Sequence, residues 1–178
     1  MTARMRAAGA LVLVLALGGC GAVKPAAKPA SKPKPKPAVA SGWVLYTNSQ
    51  VGVTLRHPQG WQPVQGYLWR IGGKSGYVQL NALSGAGWTA RQAVQNEVTQ
   101  HLHPFGTDPT IAPISAAGQA GYLILPSQNV TIPGAPPAEV VLPYPKAQTI
   151  DGTQYHFLII DATASLIRRI VATLQFAH

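Results

Sequence analysis

Apolar and polar positions alternate along the chain from Gly42 onward in a way that spells strands first. Trp43 to Thr47 is an apolar run closed by a turn at Asn48-Ser49. Val51, Val53 and Leu55 then alternate with Gly52, Thr54 and Arg56, the period of a half-buried strand. His57-Pro58-Gln59-Gly60-Trp61 ends it with proline and glycine. The next strands are predicted over Tyr67 to Gly72 and Gly76 to Leu83, with Val78, Leu80 and Ala82 on one face. A helix follows. Thr89 and Gln92 form a capping box behind Trp88, and Ala90, Ala93, Val94, Val98 and Leu102 line one side until Pro104 prevents continuation. Further strands are predicted at Gly121 to Leu125, Glu139 to Leu142 and Thr153 to Ile160. The last is apolar on both faces and so needs cover on both. A second helix is predicted from Thr163 to Leu174, burying Leu166, Ile167, Ile170, Val171 and Leu174. The pattern predicts an α+β domain: a mainly antiparallel sheet with helices packed on both faces, an α/β/α sandwich.

The first 41 residues follow a different rule. Arg4 and Arg6 precede the apolar stretch Ala7 to Leu17, which is too short to cross ~30 Å of hydrocarbon. The order matches a secretory signal. Its ending, Leu17-Gly18-Gly19-Cys20, resembles the lipobox of bacterial lipoproteins, in which the cysteine is lipidated and becomes the mature N-terminus. Residues 24–37 read KPAAKPASKPKPKP. Each proline fixes φ and restrains its predecessor, so a semi-rigid spacer is expected, with a reach on the order of 60 Å from Cys20 to about Ser41. The division is therefore 1–19 signal, 20–41 lipidated cysteine and Lys/Pro-rich linker, and 42–178 one domain. Gly21 after the cysteine fits the outer membrane in double-membrane bacteria and the outer face of the cell membrane otherwise. Either way the anchor is extracytoplasmic.

The formal charge of +9 looks like a nucleic-acid signature until it is located. Two cations lie in the signal and five lysines in the linker. From Ala38 onward seven basic residues face five acidic ones. A nucleic-acid domain carries its cations on the folded face, so that class is excluded. Cys20 is the only cysteine; its lipidation leaves the domain without a disulfide or a thiol nucleophile.

Chemistry is sparse. The acids are Glu97, Asp108, Glu139, Asp151 and Asp161. Glu97 reads as a solvated helix residue, Asp151 before Gly152 as a turn, Asp161 as a helix cap and Asp108 as a loop residue. No two acids are close in sequence, and no Gly-x-Ser-x-Gly elbow is present. His101-x-His103 offers two metal ligands where three or four are needed, so no metal and no cofactor are expected. Trp69 and Arg70, beside a Gly-Gly turn, and Trp61 are the candidate partner-binding residues. The uncharged, proline-rich loop Pro126 to Ala138 is a further candidate contact.

The domain also resembles a known family. Tyr46-Thr47-Asn48 with Gly52-Val53-Thr54-Leu55, then His57-Pro58-Gln59-Gly60-Trp61, the helix opening at Thr89, and the close Tyr155-His156-Phe157-Leu158 with Leu174-Gln175-Phe176 are similar to the PsbP/Mog1-like domain. Gln175 departs from the serine common there. The resemblance implies an antiparallel sheet with helices on both sides and a non-enzymatic binding or assembly module. The expected partners are the membrane, through lipid on Cys20, and an envelope protein or cell-wall component. An enzyme acting on wall polymer and a carrier of a small ligand are the alternatives.

Overall fold

The computed structural model describes residues 42–100, 104–128, 130 and 137–177. Cys20, the linker, His101, His103 and the greater part of the Pro126–Ala138 loop lie outside the described residues. The strands are β1 (Trp43–Asn48), β2 (Val53–Pro58), β3 (Gln62–Pro63), β4 (Arg70–Gly73), β5 (Gly76–Leu83), β6 (Thr110–Ala116), β7 (Gln119–Leu125), β8 (Glu139–Ile150), β9 (Thr153–Ala162) and β10 (Gln175–Phe176). The helices are α1 (Ala90–Val98) and α2 (Ile167–Val171). Seven strands form one sheet in the order β3-β4-β5-β9-β8-β7-β6, and β1-β2-β10 form a second. Every described pairing is antiparallel.

The centre of the large sheet is apolar on both faces, as the Thr153 to Ile160 pattern requires. One face carries Val78, Leu80, Val140, Leu142, Leu158 and Ile160, packed with Val51, Val53 and Leu55 of the small-sheet hairpin and with Ile167, Ile170 and Val171 of α2. The other carries Ile124, Val141, Phe157 and Ile159, packed with Ala93 and Val94 of α1 and with Phe105. The expected sandwich of helices on both faces is therefore corrected. Only two helices occur among the described residues: α1 covers the second face, while the first is covered by the small sheet together with the short α2.

α2 is shorter than the predicted Thr163–Leu174 because Thr163 is still held by the sheet. Its N–H donates to Tyr77 O at 3.2 Å, and its Oγ1 accepts from Tyr77 N–H at 3.1 Å. The neighbouring Gly76 (φ +132°) is obligatory, since a Cβ there would collide with Thr163 Oγ1. At the other end Thr173 Oγ1 accepts from Arg56 N–H at 2.8 Å, tying the helix exit to β2. The predicted strand over Tyr67 to Gly72 starts only at Arg70, because Trp69 adopts a left-handed backbone (φ 58°). β6 was not foreseen. It is an edge strand, which is where a residue such as Pro113 is tolerated.

One irregularity sets up the site. The β8–β9 hairpin turns at Asp151 and Gly152, both at positive φ, the geometry an Asp-Gly pair favours. Near the turn Gln148 faces Tyr155. Beyond a bulge between Pro143 and Gln148 the register has slipped by three residues, so Pro143 faces Phe157 and Glu139 faces Asp161. Without that slip Asp161 would lie opposite Leu142.

Candidate functional site

The face of the large sheet under α1 carries a line of polar residues across four strands. Arg70 on β4 pairs with Gln79 on β5, Gln79 with Asp161 on β9, and Asp161 with Glu139 on β8. Arg70 Nε donates to Gln79 Oε1 at 2.9 Å, and Asn81 Nδ2 donates to Asp161 Oδ2 at 2.9 Å. Gln79 Nε2 donates to the carbonyl oxygens of Leu68 and Leu80 and lies 3.3 Å from Asn81 Oδ1. Each neutral amide thus hands its partner a donor, and the line ends on two carboxyls.

Those two carboxyls govern the electrostatics. Glu139 is 4% exposed. Burial pushes its carboxyl well above the usual range, and the negative charges of Asp161 and Glu97 push the same way. Asp161 is pushed up to about 6, again chiefly by burial and then by Glu97. Hydrogen bonds from Glu139 and Asn81 and the charge of Arg70 oppose the rise. Glu139 Oε1 and Asp161 Oδ1 have no partner among the described residues as long as both groups are ionised. A hydrogen bond between the two carboxyls raises Glu139 and opposes the rise of Asp161, so the pair titrates as a unit.

Beside the pair opens a pocket of about 280 Å³, lined on one side by Asn81, Glu97, Gln100, Glu139 and Asp161 and on the other by apolar residues including Leu83, Phe105 and Ile159. α1 brings Glu97 and Gln100 to it. The helix starts where predicted, because the capping box forms: Thr89 N–H donates to Gln92 Oε1 at 2.8 Å and Gln92 N–H to Thr89 Oγ1 at 3.2 Å. Ala93 and Val94 are buried against the sheet, which turns Glu97, one turn on, toward the pocket. Burial raises the Glu97 carboxyl, against hydrogen bonds from Asn96 and Gln100. Among the described residues no group of three or more His, Cys, Asp or Glu side chains is close enough to hold a metal.

Three of the five acids therefore converge, which sequence reasoning missed. Asp161 is not a helix cap. It lies within β9, and the N-cap of α2 is Leu166, with no side-chain cap bond. Glu97 is half-buried rather than solvated. A usable signal was present: Glu139 opens and Asp161 closes runs that are otherwise apolar (EVVL and FLIID). A charge at such a position is costly to bury and asks for a partner.

The aromatic candidates are placed elsewhere. Trp61 is 6% exposed; its ring stacks on His57 at 5.8 Å and its Nε1 donates to Ser75 Oγ at 2.8 Å, so it is part of the core. Trp69 is half-buried and donates to Gln50 Oε1 at 2.9 Å. Arg70 lies between the rings of Tyr67 and Tyr77, 3.6 and 4.4 Å from their centroids. The apolar side chains exposed in that turn are Tyr67 and Leu68.

No protein-family model matches the chain, and no curated protein does. Among solved structures, the solution structure of cyanobacterial PsbP (CyanoP) from Synechocystis sp. PCC 6803 is similar, at 13% identity and a TM-score of 0.43, over 81% of this chain and 98% of that one. Among the described residues no helix is long and apolar enough to cross a membrane.

Proposed function

We propose that the protein is an envelope lipoprotein, anchored through Cys20, whose domain is a non-enzymatic binding module with its site at the pocket beneath α1. The finer PsbP/Mog1-like assignment of the domain belongs to the same proposal, on the sequence motifs at Tyr46, His57, Thr89 and Tyr155. One observation carries the choice of site. A polar row ending on a buried carboxyl pair interrupts a sheet face that apolar residues would stabilise better. Replacing a buried ionic group by well-packed apolar side chains is often neutral or stabilising, so the row has some use other than stability. The Lys/Pro composition of residues 24–37 supports the anchored reading, since such a sequence suits a spacer between a lipid and a domain.

The test is site-directed cross-linking in intact cells. A photoreactive side chain at Gln100, exposed on the rim of the pocket, should capture a recurrent envelope component, and blocking of the rim by Q100W should abolish function in a complementation assay. Capture that is unchanged when the probe is moved to Lys74, away from the pocket, would contradict this placement of the site. Loss of membrane fractionation in Cys20→Ala tests the anchor separately.

A second reading has one observation in its favour. Two coupled carboxyls, one pushed up to about 6, border a pocket, which is the arrangement a general acid requires near neutral pH. An enzyme acting on wall polymer would then lose turnover of the purified polymer in Asp161→Asn. Absence of turnover by the wild-type chain removes that reading and leaves the binding module.

A further inference from the structure

The pocket's own chemistry narrows the ligand class. Three carboxyl-bearing residues from three elements, Glu97 on α1, Glu139 on β8 and Asp161 on β9, line it. The nearest described cation in the same polar row is Arg70, and its guanidinium is occupied by Gln79, Tyr67 and Tyr77. Glu139 is more than nine-tenths buried and keeps an oxygen without a partner among the described residues. The charge deficit calls for a cation from outside.

The kind of cation follows from geometry. Asp161 Oδ2 is taken by Asn81, and the two carboxyls of the pair belong to different residues on adjacent strands. A guanidinium gripping both oxygens of one carboxylate does not match this arrangement. An ammonium, a compact charge with three N–H donors, does. Multidentate metal binding lacks a close enough donor set among the described residues. The apolar wall of Leu83, Phe105 and Ile159 suits a short hydrocarbon stem. The volume of about 280 Å³ suits a compact ligand.

We propose that the pocket binds compact primary amines, with the ammonium seated on the Glu139–Asp161 pair and the stem against the apolar wall. This rests on the pocket being the binding site. In the free protein the pair holds one proton between its carboxyls; the incoming ammonium takes over that neutralising role and the proton leaves to solvent. Glu97 lines the same pocket and its charge acts on the pair, so it attracts a second ammonium when the ligand carries one, and short diamines bind best. The charged or titratable groups acting on the pair are Arg70, Glu97 and, through Asp161, Tyr77. Simple amines keep their charge to about pH 10, so affinity rises with pH as the pair gives up its proton.

The test is calorimetric titration of the purified full chain in detergent with 1,5-diaminopentane, against 1,5-pentanediol as the uncharged control. Saturable binding of the diamine is expected, at least tenfold tighter than the diol and at least tenfold tighter at pH 8 than at pH 5. Repeating the titration in two buffers of different ionisation enthalpy should reveal proton release. E139Q/D161N should weaken binding at least tenfold. E97Q, a half-buried helix substitution outside the pair, should weaken it severalfold and serves as the deciding variant if the buried double substitution does not fold. Equal binding of diamine and diol, or diamine binding indifferent to pH and to E97Q, overturns the proposal. If the diamine is refused while cross-linking from Gln100 still captures its component, the amine chemistry fails and the binding module stands. If both fail, the pocket is not the site.

Discussion

The two faces of the large sheet are made from the same strands and obey opposite rules. Leu80, Val140, Leu142, Leu158 and Ile160 cover one face, all fully buried. On the other, one residue along the same strands from Leu80, Val140 and Ile160, stand Gln79, Glu139 and Asp161, joined to Arg70 in a single cross-strand row. The first face accounts for stability by removing apolar surface from water at ~25 cal/mol per Å². The second gives up part of that gain to keep ionisable groups beside a pocket. The period-two geometry of β-strands is what lets one segment serve both ends, since successive side chains point to opposite faces.

The largest effect should come from the apolar face. Leu158→Ala empties a fully buried position and should cost about 2–5 kcal/mol, read by urea denaturation. A smaller loss than this would mean that the two faces are not so different in their role.

The next effect belongs to the polar face and depends on pH. A carboxyl whose folded-state pKa is raised binds its proton more tightly in the folded chain than in the unfolded one. Stability from this source is full below about pH 4 and falls as the pH rises, through about 6 for Asp161 and through the raised range of Glu139. For Asp161 the fall is on the order of 3 kcal/mol. Denaturation at pH 4.5 and 7.5 should show it, and E139Q/D161N should remove most of it while leaving the cost of Leu158→Ala unchanged. A wild-type protein more stable at pH 7.5 than at 4.5 would contradict the account of the pair.

The smallest effect tests what holds the lid of the pocket. Thr89→Ala breaks the capping box and should cost about 1 kcal/mol in thermal unfolding. Because α1 carries Glu97 and Gln100, the same substitution should loosen hydrogen-exchange protection along Ala93–Val98 before it affects β8 and β9.

Legibility in the sequence follows the range of each interaction. The α1 start was readable because Thr89 and Gln92 are three residues apart and satisfy one another locally. The Asp151-Gly152 turn and the alternation at Val53 and Leu55 were readable for the same reason. β8 was read only as far as Leu142, since Pro143 and Pro145 look like a stop, whereas the strand continues to Ile150 by bulging. α2 was overextended because nothing local announces that Thr163 is claimed by Tyr77, far away in sequence. The candidate site is the extreme case. Glu139 and Asp161 meet only because the β8–β9 register slips by three residues between Pro143 and Gln148. No count along the chain from the Asp151-Gly152 turn would have put them opposite each other. Trp61 and Trp69 drew notice as large aromatics near glycines, but their indole N–H groups are used internally, on Ser75 and Gln50.

The central claim is that Glu139 and Asp161 form a buried, coupled pair beside the pocket, with both carboxyls raised above their ordinary range. Carbon-13 NMR of the labelled side-chain carboxyls, followed from pH 3 to 9, tests it most directly. The account predicts that Glu139 titrates well above the ordinary carboxyl range, that Asp161 titrates near 6, and that each residue's shift senses the other's step. Two independent titrations near pH 4, the ordinary carboxyl range, would contradict it.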